Sequence, residues 1–255
     1  MLHYINHPGP EDRPGLLIAH GLYGSGRNWG VIAKRLSDQR RVVCVDMRNH
    51  GASPWFETHS YEDLAQDLAE VLEHLGGQFD VLGHSMGGKA SMMLALTRPE
   101  LVDGLIVADI APVAYSHTQI QYIHAMRATD LSDITRRSDA GKRLLPHVDD
   151  PALVPFFLQS LDVDARAWRL NLDVLEAEMD KIMGFPDIGT TYRGEVLMLS
   201  GALSDYVQTD HRAAIKARFP KARFAKIPDA GHWLHAERPR AFEQAVKAWL
   251  GQLSS

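Results

Sequence analysis

Short apolar runs alternate with longer stretches of helical periodicity along most of the chain. Leu16-Leu17-Ile18-Ala19, Val42-Val43-Cys44-Val45, Phe79-Asp80-Val81-Leu82, Leu105-Ile106-Val107-Ala108 and Val196-Leu197-Met198-Leu199 each sit beside Gly, Asp or His and show little polar alternation. Strands covered on both faces read this way, because neither face meets water. Phe224-Ala225-Lys226-Ile227 predicts a last strand, and His3-Tyr4-Ile5-Asn6 an edge strand. Between the runs lie amphipathic stretches. In residues 61–75, Tyr61, Leu64, Ala65, Leu68, Val71, Leu72 and Leu75 share one stripe, with Glu62, Asp63, Asp67, Glu70 and Glu73 off it. Ser60 followed by Asp63 resembles a capping box, and Gly76 supplies the stop. Residues 238–250 place Phe242, Val246 and Trp249 on another stripe, with Pro239 in the first turn.

Strand–helix alternation of this kind predicts an α/β fold: a mostly parallel central sheet flanked by helices. The rhythm breaks between about residues 113 and 190, where no convincing strand is found. Helical patterns there, such as residues 168–175, are interrupted at Pro146, Pro151, Pro155 and Pro186. A second independent domain is one reading. An insertion is preferred, because the strand–helix rhythm resumes at Glu195. The expected division is a core of residues 1–112 and 190–255, with a helical insertion over 113–189.

Composition narrows the functional classes. The 255 residues are 45% hydrophobic, enough for a large core without metals or disulfides. With 27 basic and 32 acidic residues the formal charge is −5, which argues against a nucleic-acid partner. No apolar run approaches the roughly eighteen residues of a membrane span. The first residues have neither the basic nor the apolar region of a leader. The single cysteine, Cys44, excludes an internal disulfide and a cysteine-based zinc site, and its setting between Val43 and Val45 reads as core. A cytoplasmic monomer or homodimer is expected.

The sharpest chemical signal is Gly83-His84-Ser85-Met86-Gly87-Gly88, a Gly-x-Ser-x-Gly sequence with a strand before it and a helix-compatible run, residues 89–97, after it. That context is what a nucleophile elbow requires. Ser85 must sit in a strained conformation at the tip of a sharp turn, and Gly83 and Gly87 remove side chains that would collide there. The Met86 N–H, at a helix N-terminus, would then face a developing oxyanion. A phosphate-binding loop is the competing reading, since Gly88-Lys89 ends a near match to that motif. Ala90, however, stands where a hydroxyl should ligate magnesium.

His20-Gly21-Leu22-Tyr23-Gly24-Ser25-Gly26 follows the second strand and supplies a candidate second oxyanion donor, the Leu22 N–H. Tyr23 and His84, beside these two turns, are candidate pocket residues. Of thirteen histidines, most are expected to face solvent. The base should follow the last strand, which selects His232 in Gly231-His232-Trp233. A zinc pair with His235 lacks a third ligand, and His235 is expected to cap the final helix or face solvent. The acid is open between two places. Asp109 ends a strand in Ala108-Asp109-Ile110, whereas Asp205 lies one residue beyond the expected position, held by Ser204. Asp109 is favoured as the group that fixes the tautomer of His232, with Ser204 adding a hydrogen bond.

With these residues in place, the chain resembles the α/β-hydrolase superfamily over essentially its full length. Within it, the chain is similar to the bacterial YbfF-type esterases and their relatives, the eukaryotic abhydrolase-domain-11 proteins. The residues that carry this are His20 to Ser25, Asp46-Met47-Arg48-Asn49-His50-Gly51-Ala52-Ser53-Pro54, Gly83 to Ala90, Asp109-Ile110-Ala111-Pro112-Val113, Trp168-Arg169-Leu170-Asn171 and Gly231 to Glu237. The resemblance implies a helical cap and hydrolysis of carboxylic esters, with acyl thioesters such as acyl-CoA as a variant. It implies an acid after the strand that precedes the cap, in favour of Asp109. It also matches Ser204 to a serine beside the triad and Tyr206 to a pocket tyrosine, while Asp205 departs from the pattern. Chemistry of this kind requires no metal or organic cofactor. A C–C bond hydrolase, a cofactor-free perhydrolase and a non-catalytic small-molecule receptor share the architecture; Ser85 disfavours the carboxylate-nucleophile dehalogenases and epoxide hydrolases. Arg48 and Asn49 are expected to hold loops, and Arg136, Arg137, Lys142 and Arg143 to form a solvated helix face balanced by Asp130, Asp133 and Asp139 rather than an acyl-CoA phosphate site. Met126, Phe156, Phe157, Met179 and Met183 are expected to pack as core rather than line an acyl tunnel.

Overall fold

The computed structural model describes residues 1–253. Nine strands run as β1 (Tyr4–His7), β2 (Gly15–Ala19), β3 (Val42–Val45), β4 (Phe79–His84), β5 (Gly104–Ala108), β6 (Leu161–Asp162), β7 (Ala167–Trp168), β8 (Glu195–Gly201) and β9 (Ala222–Ile227). Seven of them form one sheet in the order β1-β3-β2-β4-β5-β8-β9, in which only β1 is antiparallel to its neighbour. The early helices are α1 (Gly30–Leu36), α2 (Tyr61–Leu75) and α3 (Met86–Thr97). α4 (Ile120–Ala128), α5 (Arg137–Leu144), α6 (Val154–Phe157), α7 (Leu172–Ala177) and α8 (Met179–Met183) follow β5, and α9 (His211–Arg218), α10 (Leu234–Glu237) and α11 (Pro239–Leu253) follow β8.

The inner strands β2, β3, β4 and β5 are buried on both faces, as their apolar runs require, while the edge strands β1 and β9 are partly exposed. Alternate residues feed two cores. Leu17, Ala19, Val43 and Val45 pack with Leu64, Leu68 and Met92 of α2 and α3. Leu16, Ile18, Val42 and Cys44 pack with Ile32 of α1 and Phe242, Val246 and Trp249 of α11. α2 begins where the sequence places it: Ser60 Oγ accepts the Asp63 N–H, the Asp63 carboxylate accepts the Ser60 N–H, and Gly76 follows with positive φ. Cys44 lies wholly in the core, where burial pushes its thiol up to about 12.

β5 and β8 pair directly although residues 109–194 separate them, so that stretch is an excursion from one edge of the sheet. It is mainly helical, but it contains the hairpin of β6 and β7, contrary to the expectation of no strand there. Two residues per strand are too few to show a period of two. The turn is made locally, by the Asp162 carboxylate accepting the Ala165 N–H and by Arg166 at φ 52°. At α5, Arg136 just before the helix pairs with Asp139, and Arg143 pairs with Asp133 and Asp130, while Arg137 donates to Leu161 O. Among the described residues, no helix is long and apolar enough to cross a membrane.

At the opposite end of the sheet from the loops described below, Arg40 and Asp80 form a buried ion pair at 2.6 Å. Removing one partner of such a pair leaves an uncompensated charge and typically costs about 3–5 kcal/mol, whereas apolar replacement of both is tolerated. Arg40→Met should therefore lower unfolding stability by about that amount in urea titrations, and Arg40→Met combined with Asp80→Leu should recover most of it.

Candidate active site

In a parallel sheet all carboxyl ends lie along one edge, and the residues singled out in the sequence gather there. Ser85 ends β4 at φ 52°, ψ −120°, a strained conformation between strand and helix. The glycines around it permit the turn. A Cβ on Gly83 would lie 2.2 Å from the Gly87 carbonyl oxygen, and one on Gly87 would lie 2.3 Å from that of Ala19. The peptide N–H of Ser85 is held by Ala108 O at 3.0 Å.

Asp109 follows β5, fully buried and also at positive φ. Its carboxylate accepts from the Gly201 N–H at 2.9 Å, from the Ser204 hydroxyl and from His232 Nδ1 at 2.8 Å. Because a carboxylate only accepts, His232 carries its proton on Nδ1, and the bare Nε2 faces the Ser85 hydroxyl at 3.1 Å. The three side chains thus form one chain, Asp109 to His232 to Ser85. Asp205 does not join it; its carbonyl is tied to Gln208 and it lines a separate surface depression. Ser204, one residue earlier, both donates to Asp109 and accepts the Tyr206 N–H at 3.2 Å.

The loop carrying His232 is braced on both sides by Glu237, whose carboxylate accepts the Gly231 N–H (2.8 Å) and the Trp233 N–H (3.2 Å). Tyr206 stacks on the His232 ring with centroids 3.8 Å apart. Two expectations are corrected here. His235 neither caps nor meets solvent: it is buried, stacked on Trp29 at 4.3 Å, and pushed down to about 3 by that burial. His84 is not a pocket residue. It lies buried behind the site and donates from Nε2 to His232 O at 2.9 Å, fixing the main chain of the base. Eight of the thirteen histidines do reach solvent at least in part, but His20, His50 and His59 are buried as well as His84 and His235. A neutral ring offers one donor and one acceptor, which suits a buried loop as well as an amide does.

A cavity of about 360 Å³ opens at Ser85 and His232. Leu22, Met86, Tyr23 and Tyr206 line it, as do Phe157 and Met183. Among the described residues, no carbonyl takes the N–H of Leu22 or of Met86, while the adjoining N–H groups of Tyr23, Gly24 and Ser85 are all engaged. Met126 and Met179 are core residues. Arg48 grips Asp67 with two hydrogen bonds, at 2.6 and 2.9 Å, and Asn49 Oδ1 accepts the Phe56 N–H, so both hold loops behind the site.

Several wall residues carried no sequence signal. Tyr61 and Tyr115 flank Lys89, whose Nζ lies 5.6 and 4.8 Å from their ring centroids and donates to Met183 O (2.9 Å) and Gly184 O (2.5 Å). The sequence offered Lys89 only as the end of a near phosphate-loop motif; its place one turn after Ser85 in a helix was the available clue.

The sheet, the serine at the tip of its central strand and the histidine–carboxylate pair beside it define a hydrolase architecture. The chain belongs to the α/β hydrolase fold family, whose model matches residues 14–239. It is 42% identical to the mouse sn-1-specific diacylglycerol lipase ABHD11, covering 95% of this chain and 82% of that one. It is 37% identical to the esterase YbfF of Escherichia coli K12, over 92% of each. The solved structure of a marine microorganism esterase is similar at a TM-score of 0.89 and 36% identity, covering 97% of this chain and 98% of that one.

Burial pushes Lys89 down to about 7, and a neutral amine keeps enough N–H groups for both carbonyls. An unfolded lysine holds its proton to about pH 10.4. Above pH 7 the unfolded chain therefore binds a proton that the folded one lacks, and stability should rise with pH up to about 10, by at most about 1.4 kcal/mol per unit. Subtracting the stability profile of Lys89→Met from that of the native protein should isolate this rise.

Proposed function

We propose that the protein is a serine carboxylesterase in which Ser85, His232 and Asp109 are the catalytic triad. The observation that carries the reading is the unbroken chain from the buried Asp109 carboxylate through His232 to the Ser85 hydroxyl. In the first step, Ser85 Oγ bonds to the ester carbonyl carbon while His232 Nε2 takes its proton. The carbonyl electron pair moves onto oxygen, where the Leu22 and Met86 N–H groups stabilise it. The C–O bond to the alcohol then breaks, and His232 returns the proton to the leaving oxygen. Water, deprotonated by the same nitrogen, hydrolyses the acyl-enzyme and regenerates Ser85. Asp109 stays ionised, fixing the tautomer and stabilising the imidazolium, with Ser204 completing its hydrogen-bond shell.

Residues 113–189 act as a cap in this reading, placing Phe157, Ile182 and Met183 in the cavity wall. A mainly apolar wall around one serine, interrupted by Lys89 and Gln119, suits a small acyl ester. An acyl thioester passes through the same two steps with a thiolate as leaving group. The relatives named esterase and diacylglycerol lipase both act on carboxylic esters, which supports the substrate class.

Ser85→Ala should abolish hydrolysis of a short p-nitrophenyl ester and labelling by a fluorophosphonate; undiminished turnover would end the assignment. Asp109→Asn should lower kcat by roughly four orders of magnitude, as loss of the correct tautomer does in related chemistry, while Asp205→Asn leaves it nearly intact. A graded series of esters and acyl-CoAs assayed against the native protein tests the thioester variant.

A further inference from the structure

Tyr23 occupies a position that a tyrosine does not choose. The Gly24 N–H closes a turn on Gly21 O at 3.0 Å, with Leu22 and Tyr23 at its centre and Tyr23 at φ 65°. Positive φ at the third position is the demand of a type II turn, normally met by glycine or asparagine. A bulky residue stays there only when its surroundings impose it.

All three polar groups of Tyr23 are held from outside the turn. Its N–H donates to His50 Nε2 at 3.1 Å, its carbonyl accepts from Ser160 Oγ at 2.8 Å, and its hydroxyl donates to Gln119 O at 2.8 Å. His50 can accept because its Nδ1 proton goes to Arg48 O at 2.8 Å. Burial and the neighbouring His20 push His50 down to about 3, so the ring stays neutral and the acceptor is always present. Ser160 is also buried. Both Ser160 and Gln119 belong to the stretch between β5 and β8. That stretch grips the His50 loop as well, through Gly51 N–H to Arg169 O (2.8 Å) and Asn171 N–H to Asn49 O (3.0 Å).

The turn bears on chemistry through its first peptide. Gly21 O is pinned by the Gly24 N–H and by His20 Nδ1 at 2.8 Å. In a trans peptide the N–H lies opposite the C=O, so fixing Gly21 O fixes the direction of the Leu22 N–H. We infer that Tyr23 is a positioning residue, clamped between His50 and the inserted segment's Ser160, and that this clamp holds the turn which presents the Leu22 N–H to the reacting carbonyl. The inserted segment then sets oxyanion geometry as well as covering the cavity. This rests on the oxyanion role given to Leu22 above.

The test uses variants that leave Ser85, His232 and Asp109 in place. Ser160→Ala removes one hydroxyl outside the cavity wall. It should lower kcat about tenfold, the net worth of one hydrogen bond, with KM changed less than about twofold. Affinity for a trifluoromethyl ketone, which forms a tetrahedral adduct, should fall by the same factor as kcat/KM. His50→Leu should behave likewise, and His50→Gln, whose amide oxygen can accept the Tyr23 N–H, should recover most of the loss. A Ser160→Ala protein of native circular dichroism that keeps its kcat, or that changes only KM, overturns the clamp; because Ser160→Ala is the mildest variant, the proposal stays exposed even if His50→Leu fails to fold. Ser85→Ala separates the two levels. If it is inert while Ser160→Ala is normal, the clamp alone is wrong; if it remains active, the serine mechanism is wrong.

Discussion

The buried carboxylate of Asp109 is the constraint on which the rest of the site depends. Removing a carboxylate from water is costly unless donors replace the solvent, and here three are supplied: a main-chain N–H at the end of β8, a serine hydroxyl from the loop after it, and the imidazole after β9. The first of these donors, Gly201, lies 92 residues after Asp109, so their arrival requires β8 to pair beside β5. The pairing in turn forces the intervening stretch off the sheet and onto the edge where the site lies. The position of the helical excursion and the polarity of the site are thus two results of satisfying one group.

Neutral histidines do the comparable work among the loops. His20 takes the Met47 N–H on Nε2 and gives its Nδ1 proton to Gly21 O; His50 does the same between Tyr23 and Arg48; His84 reaches His232 O. Burial holds each below the ordinary histidine range, which keeps one nitrogen bare as an acceptor wherever two N–H-rich turns meet. A charged ring would have two donors and no acceptor, and the turns would separate. His232 differs in facing both a carboxylate and the cavity, where a ring that can gain and lose a proton is of use.

The features legible in the sequence are those whose causes are local. Unbroken apolar tetrapeptides predict the parallel strands, Ser60 with Asp63 and Gly76 delimits α2, and the two glycines around Ser85 announce the elbow by steric need alone. What stayed hidden depends on contacts distant in sequence. Nothing near His235 signals that Trp29 lies against it, and although Tyr115 and Glu237 follow Asp109 and His232 closely, no local pattern shows that one lines the cavity or that the other holds the His232 loop. The strand-end position of Asp109 favours it over Asp205 in the sequence, but that its carboxylate reaches His232 depends on β8 and β9, which are distant along the chain. The hairpin of β6 and β7 is too short to carry a period.

Backbone strain follows the same geography. Among the described residues, six non-glycine residues have positive φ, and all but Arg166 follow a strand of the central sheet at its carboxyl edge: Tyr23 after β2, Asn49 after β3, Ser85 after β4, Asp109 after β5 and Asp229 after β9. Each costs of order 1–3 kcal/mol and persists only where neighbours over-determine it. The bonds that do so come from other elements: His50 and Ser160 on Tyr23, Asn171 and Phe56 on Asn49, Ala108 O on the Ser85 N–H, and Leu199 O on the Asp109 N–H at 2.9 Å. A sheet buried on both faces, with few polar groups to satisfy, supplies the surplus stability that such a row of strained turns consumes. The division between a monotonous apolar core and an irregular polar edge is therefore causal, because the edge could not be held in its strained geometry by a less rigid support.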